Sequence, residues 1–172
     1  LTPIRAVNWR FLRLRPANFP SIRIAQFAQL IHQSTHLFRK ILDAKNTKEI
    51  QQLFQVELGE YWQTHYVFDK LSKRRKKKLG DSTVRLILIN TVAPFLFLYG
   101  AQKDEEHYQK RAFALLEDLK AESNTIISGW KDLDVVPTSA YQTQALLQLK
   151  NTYCTPKRCL ECAVGNAILR KV

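Results

Sequence analysis

The run from Val84 to Tyr99 constrains this chain more than any other part of it. Val84, Leu86, Ile87, Leu88, Ile89, Val92 and Ala93 are followed by Phe95 to Tyr99, an apolar stretch that folding must remove from water. Gly80-Asp81-Ser82 marks its start, and Arg85, Asn90 and Pro94 interrupt it. It therefore falls short of the ~20 clean apolar residues of a membrane span. The expectation is a buried central helix, kinked or broken at Pro94, because proline removes a helical hydrogen bond and crowds the preceding turn. Asn90 is then expected as a buried amide that needs partners.

The flanking segments carry helical spacing. Ile22, Ala25, Phe27, Ala28, Leu30 and Ile31 predict a first helix with Ser21 as its cap, and Leu37, Phe38, Ile41 and Leu42 a second after Ser34. Asn46 and Glu49 form a capping-box pattern before Ile50, Leu53 and Phe54. The aromatic cluster Tyr61, Trp62, Tyr66 and Phe68 predicts a further helix. An amphipathic helix follows from Asp104 to Ala121, with acids in its first turn. Thr138 or Ser139 opens another, along Ala145, Leu146 and Leu149, and a last one runs from about Cys159 to Leu169. No segment alternates as a strand, and only five residues of 172 are glycine, which argues against a turn-rich sandwich or barrel. The fold class is all-α: residues 1–172 form one multi-helix bundle of about seven to nine helices.

Charge is segregated. Lys and Arg number 27 against 15 Asp and Glu, a net charge of +12. Arg5, Arg10, Arg13, Arg15, Arg23, Arg39 and Lys40 precede the first acid, Asp43, and the block from Lys70 to Lys78 is again free of acids. Such blocks favour an anionic partner. Nucleic acid is the leading expectation, with Arg13, Arg15, Arg23, Lys73, Arg74, Arg75, Lys76, Lys77 and Lys78 as phosphate contacts. Pro16 and Pro20 stiffen the loop that bears the first arginines, which suits guanidinium groups aimed at phosphate. The competing account is plain: the lysine run is a solvated loop, and the arginines cap helix ends. A membrane partner is not expected, because a polybasic loop needs a second anchor.

Cys154, Cys159 and Cys162 are the only thiols and fall within nine positions. Their C-x4-C-x2-C spacing matches three ligands of a zinc or iron–sulfur site, the fourth being absent locally. The alternative is that they are small semi-buried residues pinning a C-terminal helix. Three cysteines and no secretory leader pattern point to a reducing cytoplasm. No catalytic motif is present: no glycine-rich phosphate loop, H-E-x-x-H or G-x-S-x-G. His65 is the best single candidate for an acid, base or ligand, with aromatic packing as the rival role.

Several strings are specific enough to compare with a family: Leu14-Arg15-Pro16-Ala17-Asn18-Phe19-Pro20-Ser21-Ile22-Arg23-Ile24-Ala25-Gln26, Tyr61-Trp62-Gln63-Thr64-His65-Tyr66, Ile89-Asn90-Thr91-Val92-Ala93-Pro94, Gln144-Ala145-Leu146-Leu147-Gln148-Leu149-Lys150 and Lys157-Arg158-Cys159-Leu160-Glu161-Cys162-Ala163-Val164-Gly165-Asn166. Together they resemble the C-terminal region of a large bacterial family filed as a domain of unknown function. The resemblance implies a preceding N-terminal region similar to the restriction-endonuclease-like fold, with any catalytic carboxylates located there. The sequence contains no Met, so Leu1 is expected to be an internal position of a longer protein. On that basis the region is a helical accessory domain that binds nucleic acid. The alternatives are a structural domain docked on its own N-terminal half and a metal-containing enzyme fragment.

Overall fold

The structure, a computed structural model, describes residues 19–170. The fold is all-α apart from one small two-stranded ribbon. It separates into two compact units with the boundary between Leu86 and Ile87.

The first unit contains α1 (Pro20–Gln33), α2 (Leu37–Asp43), α3 (Thr47–Leu53), α4 (Glu60–Thr64), β1 (His65–Val67), β2 (Lys70–Leu71) and the start of α5 (Asp81–Ile87). Ile22, Leu30, Ile41, Leu42, Ala44, Ile50, Phe54, Val56, Leu58, Leu79 and Val84 are its buried apolar residues among those described. Pro20 opens α1, where its missing N–H removes nothing from the helical ladder. Ser21 does not cap that helix as its sequence suggests; its hydroxyl instead donates to the Tyr66 carbonyl and ties α1 to β1. The capping box at α3 does form. Asn46 Oδ1 accepts from the Glu49 N–H at 2.9 Å, and Glu49 reaches back to the Lys45 N–H at 2.7 Å.

The aromatic segment departs from the expected helix. After five residues α4 gives way to β1, so Tyr66 lies on a strand and Phe68 in the two-residue turn before β2. Asp69 completes that turn with a left-handed backbone, φ 56°, which Asp tolerates better than most residues.

The second unit contains a π-helical turn (Leu88–Val92), α6 (Ala93–Lys103), α7 (Glu106–Asp118), α8 (Thr125–Lys131), α9 (Ala140–Leu149), a second π-helical turn (Lys150–Cys154), a 3-10 turn (Cys159–Glu161) and α10 (Ala163–Leu169). Leu88, Ile89, Val92, Ala93, Leu96, Ala112, Leu115, Leu119, Ile127 and Ala140 form its core. Ser139 caps α9, accepting from the Gln142 N–H at 3.3 Å. Asn124 caps α8, a helix the sequence reading missed, by accepting from the Ile127 N–H at 3.0 Å.

Pro94 does not break the central helix. From Asp81 to Lys103 the chain is helical for 23 residues, and the π-helical turn just before Pro94 takes up the irregularity that a proline imposes. By length and composition this helix is long and apolar enough to cross a membrane, which corrects the shorter span read from sequence. Asn90 is exposed rather than buried, as are Leu86, Phe95 and Leu98.

At the end of α6, Asp104 takes a left-handed conformation, φ 57°, and the Glu105 N–H closes back on the Gly100 carbonyl at 2.8 Å. This reversal brings α7 so close that a Cβ on Gly100 would lie 2.9 Å from the Glu105 carbonyl oxygen and 3.0 Å from the Gln109 nitrogen. Gly100→Ala, which ordinarily strengthens a helix, is therefore expected to lower stability by about 1–3 kcal/mol. Urea denaturation checks the sign, since α6 in isolation would favour alanine.

Candidate functional site

The carbonyls at the C-terminal end of a helix have no partner within it, and α4 is so short that this applies to nearly all of its residues. Donors from the 72–77 segment satisfy them. The Ser72 N–H and hydroxyl both donate to the Thr64 carbonyl, at 2.7 and 2.9 Å. The Arg75 N–H donates to the Gln63 carbonyl at 2.9 Å. Lys77 then inserts its ammonium among three carbonyls: Trp62 at 2.5 Å, Gln63 at 3.2 Å and His65 at 3.1 Å. Its Nζ also lies 3.9 Å from the centre of the Tyr66 ring, a cation–π contact.

Lys77 is consequently only 8% exposed, in the middle of the most basic run of the chain. Burial, and secondarily the charge of Arg75, hold its pKa below the ordinary lysine value. Its own carbonyl accepts from Gln26 Nε2 at 3.2 Å, and Gln26 Oε1 accepts from Arg23 Nη1 at 2.9 Å. Arg23 on α1 and the 70–78 run are thus joined through one buried glutamine.

The phosphate-contact residues expected from sequence now divide. Arg13 and Arg15 lie outside the described residues. Lys77 leaves the set, since its three hydrogen-bond donors are already engaged with carbonyls and its head group is out of solvent. Lys73, Arg74, Arg75, Lys76 and Lys78 are exposed. Among the described residues, Arg74 alone of these has a carboxylate within ion-pair distance, Glu60 at 4.0 Å, and both side chains are well solvated, so the pair contributes little. Arg74 Nε also donates to Gln63 Oε1 at 3.1 Å. Glu57 borders a shallow cleft with Lys76 and Lys78. The run is therefore not a loose loop: its backbone is stitched to α4, and five of its cations face water.

His65 takes the packing role. Its ring stacks on Tyr61 with centroids 4.0 Å apart and planes within 3°, and its Nδ1 donates to the Tyr61 carbonyl at 2.8 Å. Tyr61, His65, Glu60, Thr64 and Arg74 line a concavity of about 350 Å³. A larger one, about 620 Å³ and mostly apolar, lies between α1 and the α4–β1 segment, with Ile24, Leu58, Trp62, Val67 and Phe68 among its walls.

The three thiols do not form the expected ligand set. Cys162 is buried beneath the start of α10, whereas Cys154 and Cys159 are exposed. Cys154 borders a separate concavity with Trp130 and Lys150. Among the described residues no three of His, Cys, Asp and Glu converge in a way that could hold a metal ion. The local chain is shaped by packing: the Cys162 N–H donates to the Cys159 carbonyl at 3.2 Å, and Gly165 sits so close to Cys159 that a Cβ there would overlap its carbonyl.

Replacing Lys77 tests its structural role. Lys77→Met leaves the Trp62 and His65 carbonyls without their cation and is expected to cost about 1–3 kcal/mol in urea denaturation. Because folding lowers the pKa of Lys77, the unfolded chain holds that proton more tightly. Stability gained from this group rises as pH climbs through its folded pKa toward 10.5. The difference between wild type and Lys77→Met is therefore expected to widen from neutral to alkaline pH.

No curated protein and no solved structure matches this chain. A family model described as "Protein of unknown function (DUF2851)" matches residues 1–125. That span includes the strings at 14–26, 61–66 and 89–94, while those at 144–150 and 157–166 lie beyond it. With the pinned basic run and the Tyr61–His65 pair both inside the matched span, the chain belongs to this family of unknown function.

Proposed function

We propose that the first unit is a nucleic-acid-binding module that works through the phosphate backbone. The observation that carries this reading is the tethered run: Lys73, Arg74, Arg75, Lys76 and Lys78 are exposed on a segment whose main chain is fixed to α4. Cations held in place lose little further backbone entropy on binding, and each phosphate they neutralise releases condensed counterions. Phosphate contacts alone position a nucleic acid without reading its sequence. A mobile lysine loop would also attract polyanions, but it would pay the ordering cost at the moment of contact.

A second reading is favoured by a different observation. On α1, Ile24, Phe27 and Ile31 are each at least half exposed beside the apolar concavity of about 620 Å³. Apolar patches of that kind mark interfaces. The occupant in this reading is the endonuclease-like N-terminal region that the sequence resemblance implies. The chain would then be an accessory domain docked on its own catalytic half. A co-purification of the two separately expressed regions decides this, with Phe27→Glu as the variant expected to abolish capture.

For the first reading, binding of DNA and RNA is expected to weaken steeply between low and moderate salt. Lys73→Ala and Lys76→Ala are each expected to reduce the slope of log K against log salt by about 0.7–0.9, whereas Lys77→Met leaves it unchanged. An affinity that is flat in salt removes the proposal.

A further inference from the structure

We infer that the nucleic acid is single-stranded and that unpaired bases stack on the aromatic shelf beside the basic run. This inference rests on the nucleic-acid reading above and specifies its substrate class. The shelf is built from α4, β1 and the turn after it. Phe68 is 69% exposed, and its ring sits 5.3 Å from Trp62 and 6.2 Å from Tyr61. Tyr61 is 42% exposed and stacks in parallel on His65. Arg74, from the basic run, closes the same concavity as that pair.

Local folding does not ask for these rings. Two-residue turns favour Gly, Asn, Asp, Ser and Pro, and Asp69 already supplies the left-handed position. A phenyl ring at Phe68, 69% exposed, leaves apolar surface in water although it touches Trp62 edge-on and Tyr61 at a tilt and borders the apolar concavity. A duplex makes no use of it, because paired bases keep their faces inside the stack. An unpaired strand does: aromatic rings flanking a line of cations accept bases on the rings and phosphates on the cations. Glu60, 4.0 Å from Arg74, lines the same concavity, and the backbone N–H of Asp69 donates to Tyr61 Oη at 3.2 Å.

The test is fluorescence anisotropy on the full chain with three labelled probes of equal length, about 12 nucleotides: a mixed-sequence single strand, the same strand with abasic sites throughout, and a duplex. The single strand is expected to bind about tenfold tighter than the abasic strand. Phe68→Ala is expected to weaken single-strand binding about five- to tenfold, toward the abasic affinity, while leaving abasic binding unchanged. Phe68→Trp retains single-strand binding and Phe68→Leu does not, which separates stacking from apolar contact. Equal, salt-dependent affinity for all three probes overturns the stacking inference and leaves the phosphate reading standing. Absence of binding to every probe overturns both.

Discussion

An ammonium group seated among the carbonyls that end a short helix organises the first unit. Helix α4 has five residues, too few to satisfy its own C-terminal carbonyls, and the chain beyond it folds back to supply donors from Ser72, Arg75 and Lys77. A cation is favoured at that end of a helix, where the unpaired carbonyls carry partial negative charge. The contact does more than close the helix. It fixes the register of the basic run, leads through the Lys77 carbonyl to Gln26 and Arg23 on α1, and places the charged head of Lys77 against the Tyr66 ring.

Holding six consecutive cations in one segment is electrostatically unfavourable. Successive residues in extended chain rise about 3.3 Å, and unit charges about 4 Å apart in water repel by about 1 kcal/mol. The structure offsets part of this by directing one of the six at carbonyls and letting the others spread into solvent, where salt screens them. A polyanion bound as proposed would relieve the remainder. Roles alternate along the chain: Arg75 gives its backbone N–H and Lys77 its side chain to the fold, while the neighbouring side chains extend into solvent.

Some of this was legible in the sequence because it depends on neighbours a few residues apart. The Asn46–Glu49 box and the Ser139 cap are local hydrogen bonds, and the amphipathic pattern of α7 follows from periodicity alone. Where the reading missed, distant partners intervened. Ser21 had a conventional capping role available but bonds to Tyr66, 45 residues away. Tyr66 and Phe68 had helical spacing with Tyr61 and Trp62, yet the donors arriving from 72–77 drew that segment into a ribbon. Pro94 was read through the α-helical rule, and the π-helical turn at Leu88–Val92 provided a geometry that rule does not include. The cysteines lie close in sequence, but among the described residues they do not come together as a metal-holding group, and the close approach of Gly165 to Cys159 shapes that end.

The sequence by itself determined the all-α class, the net charge of +12 and the clustering of that charge. These rest on periodicity and composition, which no tertiary contact alters. Only the tertiary structure decided which cations stay exposed to solvent. Lys77 and Lys76 are chemically identical neighbours, and one is buried while the other is solvated. The difference lies in the carbonyls of residues 62, 63 and 65, which a one-dimensional reading cannot place within 3.2 Å of one ammonium and not of the next.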